Sequence, residues 1–289
     1  MHNTPSPEHK GLITDEEYDM LVRLVRDLPI CQNIVEAGAF LGLSTKALIE
    51  GIKARDDINE TQRRSILHSY DKFEYGAWVH PRFIPRGILQ KGESFFPYFA
   101  QNLGDDLAYV TTHQGDIIEI DSWKYGKIDL LFLDICKTPK INDKVQNLFF
   151  PHLAKNALLI QQDYISSTLN IWIYAALKKL ENYFERVEYC QFNSVVYRCI
   201  KQIDEDALEK ASVCNMSHSE RIALAEEVME EWDDIYPIAA EQIQYAILNY
   251  KKAVAMNRYG IRPVKHEAKT HTSLYPNLPY NIKSSVKKS

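Results

Sequence analysis

Two carboxylates come directly after apolar runs of the chain, where buried strands are expected to end. Asp134 follows the run 128–133, and Asp163 follows Gln162 just beyond the run 157–160. In open α/β sheets, ligands bind outside the carboxyl ends of the strands. Two carboxylates there could share Mg²⁺, which prefers oxygen ligands, and Gln162 could add a carbonyl oxygen. The pattern therefore predicts a metal site at Asp134, Gln162 and Asp163, or a site that orients an acceptor directly.

A glycine loop follows the short apolar run 34–37. Gly38 and Gly42 are spaced as GxxxG, whereas a dinucleotide site normally shows GxGxxG, so no pyrophosphate is implied. Glu36 suits a ligand that carries a cationic amino group. The hydroxyl side chains after the second glycine could cap the next helix or bond a ligand carboxylate. The residues assigned to this ligand are Glu36, Gly38, Phe40, Gly42, Ser44 and Thr45.

Further acids follow the next two predicted strands. Asp71 comes just after the strand 66–70, and a carboxylate at this point of a Rossmann-like fold accepts ribose hydroxyls. The charged segment 54–64, expected to be a surface loop, lengthens the usual spacing from the glycines. Gly115 and Asp116 follow the third strand, where a carboxylate can accept a hydrogen bond from an adenine amino group. A nucleoside-binding edge is therefore predicted.

Apolar strands alternate with helical segments up to about residue 184, which is typical of a parallel α/β sheet. Only Phe192 and Asn193 separate the last two strands, which is too short for a crossover and predicts an antiparallel hairpin. We therefore expect an α/β fold with a Rossmann-like, mostly parallel sheet and an antiparallel last strand. The predicted strands are 34–37, 66–70, 108–113, 128–133, 157–160, 186–191 and 194–200, and the helices between them include 44–53 and 169–184.

The order of these motifs resembles the class I S-adenosylmethionine-dependent methyltransferases over about residues 30–202. The segment 36–45 looks like their first motif, Asp71 lies at their ribose-binding acid, and the closing hairpin looks like their antiparallel final strand. The resemblance implies that the cofactor is S-adenosylmethionine. It also assigns Asp134 to the cofactor pocket as well as to the acceptor side.

Two groups within that class share finer features with this chain. Asp134 and Lys137 resemble the D-x-x-K of catechol O-methyltransferase-like enzymes, in which the Asp binds Mg²⁺ and the Lys acts as base. The segment 149–164 resembles the one that ends in -DDY in macrocin O-methyltransferase-like enzymes, which methylate sugar hydroxyls with Mg²⁺. Gln162 is a departure, because both groups carry a metal-binding Asp there.

Lys137, Asp134 and His80 are the candidate catalytic residues. Lys137 could act as a neutral amine, if burial lowers its pKa, or as a cation that stabilises an alkoxide. It could also be a surface lysine paired with Asp134 or Asp163. His80 lies in the aromatic-rich segment 73–98, which is interpreted either as a mobile lid or as a packed surface loop. His113, at a strand end, is a further histidine that could face a substrate, whereas His68 is expected to be structural.

Local patterns divide the chain into four parts. Thr14 and Glu17 form a predicted capping box before an amphipathic helix, and Ser217 and Glu220 form another. Two helices are expected over 217–256, with Ile222, Met229, Trp232, Ile247 and Tyr250 buried. The predicted divisions are an N-terminal helical segment 1–29, a methyltransferase domain 30–202, a helical extension 203–257 and a basic tail 258–289.

Composition excludes several classes of protein. The net charge of -5 argues against nucleic acid as a partner, although the basic tail leaves a macromolecule open. No apolar run reaches the ~18 residues that a membrane span needs, and the start of the chain lacks the pattern of a signal peptide. The five scattered cysteines predict neither a disulfide framework nor a zinc site and favour the cytoplasm.

The function expected from these features is O-methylation of a small-molecule hydroxyl, with a saccharide preferred over a phenol on the -DY resemblance. Alternatives are methylation of a nitrogen or a macromolecule, and a degenerate methyltransferase that serves as an interaction module. A nicotinamide dehydrogenase ranks below these alternatives, because GxGxxG is missing. The C-terminal helices could form a homo-oligomer.

Overall fold

A seven-stranded sheet forms the centre of the protein, and its order is β3-β2-β1-β4-β5-β7-β6. The computed structural model describes residues 11–190 and 193–256. Strands β1 to β5 pair in parallel, and β7 runs antiparallel to both β5 and β6. The predicted fold class is confirmed. The strands are β1 Ile34–Ala37, β2 Leu67–Asp71, β3 Val110–Gln114, β4 Ile128–Leu133, β5 Leu153–Gln161, β6 Phe184–Tyr189 and β7 Val195–Cys199.

Helices cover both faces of this sheet. The described helices are α1 Asp15–Arg26, α2 Leu43–Lys53, α3 Glu60–Arg63, α4 Phe96–Leu103, α5 Pro139–Phe149, α6 Ile171–Lys179, α7 Glu205–Ala211, α8 His218–Asp233 and α9 Pro237–Ala255. The predicted helix 169–184 was too long, because the chain already enters β6 at Phe184. Helices α3, α4, α5 and α7 are additional to those predicted from the sequence.

The central strands divide the core into two layers because alternate side chains of a strand point to opposite faces. In β4, Leu131 and Leu133 pack with Val35 on one face. Leu130 and Phe132 pack on the other face, against the layer that contains α1 and α2. All residues of β4 are buried, as expected for a strand covered on both sides.

The segment 54–64 differs from the predicted surface loop. Arg55 is buried, and its guanidinium donates to the carbonyl oxygens of Val25 at 2.8 Å and Arg26 at 3.2 Å. It also pairs with Asp57 at 2.7 Å. The fork of five donors on an arginine satisfies the last carbonyl groups of α1, which explains why this charged residue lies inside.

The C-terminal helices pack on the sheet domain through α6. Trp232 of α8 is 1% exposed and lies with Tyr164 and Tyr189, at ring separations of 6.0 and 5.3 Å. Ile247 and Tyr250 of α9 are buried in the same cluster, whereas Ile222 and Met229 are only partly buried. The two predicted helices are present in the described residues, and their apolar sides face the core.

Several sequence predictions fall outside the described residues, namely the basic tail 258–289 and the hairpin residue Phe192. Of the five cysteine thiols, only Cys214 is exposed. None of the helices within residues 11–190 and 193–256 is both long and apolar enough to cross a membrane.

Candidate active site

The loop after β1 passes very close to the end of β4. Gly38 has a φ of 102°, and a Cβ atom there would lie 2.5 Å from the carbonyl oxygen of Asp134. Gly42 has a φ of 90° and is the N-cap of α2. Both positions favour glycine, because the left-handed region is costly for other residues. The loop therefore brings the predicted cofactor-binding backbone next to Asp134.

Ser44 and Thr45 do not cap α2, which corrects one of the two predicted roles. Their hydroxyl groups donate to Glu36, at 2.5 and 2.7 Å, and Ser69 donates to the same carboxylate. Glu36 is fully buried. Burial raises the pKa of Glu36, and the hydroxyl donors partly oppose this. Three of the roughly four acceptor positions of this carboxylate are therefore taken by side chains of the protein itself.

Asp71 is the last residue of β2 and holds the glycine loop in place. Its carboxylate accepts the backbone N–H groups of Phe40 at 2.8 Å and Phe73 at 2.6 Å. Burial raises the pKa of Asp71, and these backbone donors lower it in part. Phe40 has a φ of 46°, and its ring packs against Trp78 and Phe83 at 5.5 and 5.2 Å.

The aromatic segment 73–98 is packed against the domain. Phe73, Ile84 and Phe95 are fully buried, and an antiparallel bridge joins Glu74 to Ser94. These contacts favour the packed-loop interpretation over the mobile lid.

His80 is exposed within that segment, and its Nδ1 accepts the N–H of Arg82 at 3.1 Å. Its catalytic role stays a prediction. His113 stacks on Tyr70 with ring centroids 4.2 Å apart and lies 3.1 Å from the Nδ1 of His68. Both His113 and His68 therefore belong to a packed cluster of rings.

Gly115 lies beside Asp71. The N–H of Gly115 donates to the carbonyl of Asp71 at 3.0 Å. Asp116 accepts the N–H of Ile118 at 3.0 Å, and Lys72 approaches it at 3.6 Å. The sequence reading did not anticipate Lys72, although it directly follows the ribose-side acid.

Lys137 lies between two carboxylates. Its Nζ donates to Asp134 Oδ1 at 2.6 Å and also to Asp163 Oδ2. Desolvation lowers the pKa of Lys137, but attraction to the two carboxylates outweighs it and raises this pKa. Burial raises the pKa of Asp134, which Lys137 opposes. Lys137 is therefore an ammonium ion, and the neutral-amine alternative is not supported. Its side chain is 49% exposed and pairs with both carboxylates, which agrees with the surface-lysine alternative.

Gln162 directs its amide nitrogen, not its oxygen, toward Asp134. The hydrogen-bond partners assign this orientation: Nε2 donates to Asp134 Oδ1 at 2.8 Å and also to Oδ2, while Oε1 accepts from Asn193 Nδ2 at 2.9 Å. A divalent cation needs oxygen ligands around it. Here an ammonium and an amide NH₂ group face the carboxylates, so the predicted set of Asp134, Gln162 and Asp163 does not fit Mg²⁺.

Glu17 and Asn193 belong to the same polar cluster, which the sequence reading missed. Asn193 Nδ2 donates to both oxygens of Glu17, at 2.8 and 2.9 Å, although the two residues are 176 positions apart. Their sequence signals were local ones, a capping box and a hairpin turn. No pattern connected them to Gln162 or Asp163.

A small cavity of only about 10 Å³ lies at the junction of these parts. Its lining includes residues 11–13, Gly38, Phe40, Ser44 and Asp134. A more open groove of about 440 Å³ lies elsewhere, around Asn147 and Leu208. Because that groove includes none of the predicted site residues, the candidate site is the smaller cavity.

The fold and the site agree with the expected Rossmann-like arrangement. The sheet has the order β3-β2-β1-β4-β5-β7-β6 with β7 reversed, a glycine loop follows β1, and an acid stands at the end of β2.

Comparisons with known proteins gave matches among solved structures. No family model and no curated protein matches the chain. The chain is similar to the O-methyltransferase NovP, with 14% identity, 66% of this chain and 83% of that chain covered, and a TM-score of 0.48. It is also similar to an O-methyltransferase from Bacillus cereus in complex with SAH, with 13% identity, 66% and 83% covered, and a TM-score of 0.45.

An rRNA methylase from Streptococcus thermophilus is similar as well, with 10% identity, 66% of this chain and 100% of that chain covered, and a TM-score of 0.41. At such identities and TM-scores, nothing about the acceptor of this chain follows from these neighbours.

Proposed function

We propose that this chain is an S-adenosylmethionine-dependent methyltransferase that methylates a hydroxyl group of a small molecule. The observation that carries the proposal is the approach of the glycine loop to Asp134, which lines one cavity together with Gly38 and Ser44. A cofactor on the loop would thus lie beside the ion pair of Asp134 and Lys137.

The cofactor would be held by the residues predicted from the sequence. Glu36 would offer its remaining acceptor position to the amino group, and Ser44 lies at the cavity wall. Asp71 would accept the ribose hydroxyls, while Gly115 and Asp116 would lie toward the adenine. When bound, S-adenosylmethionine supplies a methyl group on a sulfonium centre.

The side chains of this chain would activate the acceptor. The acceptor hydroxyl would donate to Asp134 or Asp163, and that carboxylate takes the proton as the new carbon–oxygen bond forms. S-adenosylmethionine would supply the methyl group for this bond and would be left as the neutral thioether S-adenosylhomocysteine. Lys137 stabilises the developing negative charge on oxygen as an ammonium ion. Because the donor set does not fit Mg²⁺, no step in this mechanism passes through a metal.

A saccharide acceptor suits the polar character of the site. Asp134, Asp163 and Lys137 offer both acceptors and donors to several hydroxyl groups. Trp78 is 57% exposed and lies against Phe40, which lines the cavity. An exposed indole ring gives a flat apolar surface next to polar groups, and this combination supports a saccharide over a purely apolar phenol.

The test is binding of S-adenosylhomocysteine by calorimetry. Asp71→Ala should weaken binding by the loss of two charge-assisted hydrogen bonds, worth roughly 1.5–3 kcal/mol each. Asp129→Ala is the matched control, because Asp129 also accepts two backbone N–H groups, from Gln32 at 2.7 Å and Asn33 at 3.1 Å. The control should lose stability without losing affinity. If the wild type shows no binding at millimolar ligand, the cofactor assignment fails.

A degenerate methyltransferase that acts as an interaction module is the second candidate. The observation in its favour is the small size of the cavity, about 10 Å³, which is far below the roughly 300–1,000 Å³ of ligand pockets. The same calorimetric experiment separates the two functions, because an interaction module has no need to bind S-adenosylhomocysteine.

A further inference from the structure

A directed chain of hydrogen bonds connects the N-terminal helix to Lys137. We propose that Glu17 and Asn193 are positioning residues, which hold Gln162 as a donor to Asp134 and keep Asp163 beside Lys137. Only the consequence for methyl transfer rests on the proposed function. The direction of the hydrogen bonds does not.

At the α1 end of this chain of hydrogen bonds, Glu17 determines which groups donate and which accept. It is 1% exposed, and its carboxylate accepts hydrogen bonds from three neighbouring residues. These donors are the N–H of Thr14 at 3.0 Å, the hydroxyl of Ser194 at 2.6 Å and Nδ2 of Asn193. An acceptor held by three donors requires Asn193 to present its NH₂ group and not its oxygen.

The orientation of the Asn193 amide determines the orientation of the Gln162 amide. Its Oδ1 accepts the N–H of Asp163 at 3.3 Å, which fixes its other end. Its NH₂ group then also faces Oε1 of Gln162 at 2.9 Å. Because an amide has a donor end and an acceptor end, Gln162 must turn its own NH₂ group to Asp134. The donors that face Glu17 therefore determine which end of the Gln162 amide faces Asp134, the ion-pair partner of Lys137.

Asn193 also holds the backbone around Asp163. Asp163 has a φ of 60°, a conformation that costs free energy for a residue other than glycine. Asn193 brackets this residue, because its side chain accepts from Asp163 and its carbonyl accepts the N–H of Ile165 at 2.9 Å. The Asp163 carboxylate is thereby directed to Lys137.

This arrangement makes α1 a part of the candidate site. Residues 11–13 line the cavity, and Thr14 and Glu17 form the capping box that begins α1. Glu17 therefore caps its own helix and orients Asn193 at the same time. The N-terminal segment couples the cofactor side of the cavity to its acceptor side.

The test compares Asn193→Ala with Asn33→Ala. Asn33 directly precedes β1, and its buried amide donates to the carbonyls of Tyr125 and Lys127, both at 2.8 Å. It is therefore a suitable control. The first readout is the side-chain amide signal of Gln162 in the ¹⁵N–¹H spectrum, which Gln162→Met removes and so identifies. We expect slow solvent exchange of this signal in the wild type and in Asn33→Ala. Solvent exchange of the Gln162 amide should be about tenfold faster in Asn193→Ala, because one hydrogen bond is lost.

The second readout is the labelling rate of Lys137 by acetic anhydride, followed by mass spectrometry at one pH. Release of Asp163 in Asn193→Ala should raise this rate about tenfold, since a less tightly paired amine reacts faster. Asn33→Ala should label like the wild type. Equal labelling and equal amide exchange in both Asn variants would overturn the proposal.

Glu17→Gln provides an independent variant if Asn193→Ala does not fold. It keeps the size of the side chain but turns one acceptor into a donor, which opposes the donors of Thr14 and Ser194. The same increases in exchange and labelling are expected, and wild-type values would contradict the proposal. S-adenosylhomocysteine binding is measured in each variant. Its absence in the wild type would reject the proposed function and leave the two positioning readouts unaffected.

Discussion

At the scale of single residues, Gln162 and Lys137 determine the chemistry of the cluster. An aspartate at position 162 would add a third carboxylate, whereas the glutamine donates to Asp134. Lys137 then supplies the positive charge that faces Asp134 and Asp163. Charge-assisted hydrogen bonds of this kind are stronger than neutral ones, so the ammonium is firmly oriented.

Lys137→Met tests the role of that charge in catalysis. If the ammonium stabilises the developing alkoxide, kcat should fall by about 10²–10³-fold. Affinity for S-adenosylhomocysteine should be unchanged, because Lys137 does not line the cofactor cavity. The measurement is release of S-adenosylhomocysteine with an acceptor found by screening hydroxylated metabolites.

Lys140→Met is the matched control, since Lys140 is exposed three positions further on, in α5. It should keep full activity. Unchanged turnover in Lys137→Met would show that the D-x-x-K resemblance does not carry over to this chain.

At the scale of secondary-structure elements, β2 and β3 are joined by a pair of stacked histidines. His68 is 3% exposed and faces His113, whose other side stacks on Tyr70. Burial, with a smaller contribution from the charge of His113, lowers the pKa of His68 to about 4. The buried imidazole of His68 between these two strands is therefore neutral at pH 7.

The pH dependence of stability follows from this lowered pKa. The unfolded chain takes up a proton at His68 near pH 6.5, whereas the folded protein does so only near pH 4. The stability contributed by the neutral ring is present above pH 6.5 and is lost as the pH falls toward 4. Between pH 7 and 5 the loss amounts to roughly 1–2 kcal/mol.

His68→Gln should remove this part of the pH dependence, measured by urea unfolding at both pH values. His80→Gln, at an exposed position, should keep the wild-type slope. A wild-type slope in His68→Gln would mean that other groups cause the acid sensitivity.

At the scale of the whole molecule, the C-terminal helices complete the core of the sheet domain. Trp232 contacts side chains of the segment after β5 and of β6, and Arg186 of β6 lies over its ring at 4.7 Å. The extension thus covers the same end of the sheet that carries the β6–β7 hairpin. The division at residue 203 stays a prediction, and so does a homo-oligomer through these helices.

Trp232→Ala should lower the free energy of unfolding by ~3–5 kcal/mol, because it removes a large buried ring. Ile238→Ala on α9 is the comparison, since Ile238 is 42% exposed and its loss should cost little. Urea unfolding at one pH measures both. A chain cut after residue 203 that is as soluble and as stable as the full chain would contradict this view of the extension.

The sequence by itself determined those features that depend on neighbours a few positions away. The bounds of β4 were predicted as they occur, because a continuous apolar run reports a strand buried on both faces. The capping box of Thr14 and Glu17 is present. The reversal of β7 followed from the short connection before it, and with it the class of fold.

Only the tertiary structure decided the chemistry of the site. The orientation of Gln162 depends on Asn193 and Glu17, and the placement of the Lys137 ammonium depends on Asp163, which lies 26 positions away. Likewise, Ser44 and Ser69 meet at Glu36 only because β1 and β2 pair side by side. The direction of a hydrogen bond and the pKa of a buried group are set by all groups around them, and the fold brings those groups together from distant parts of the chain.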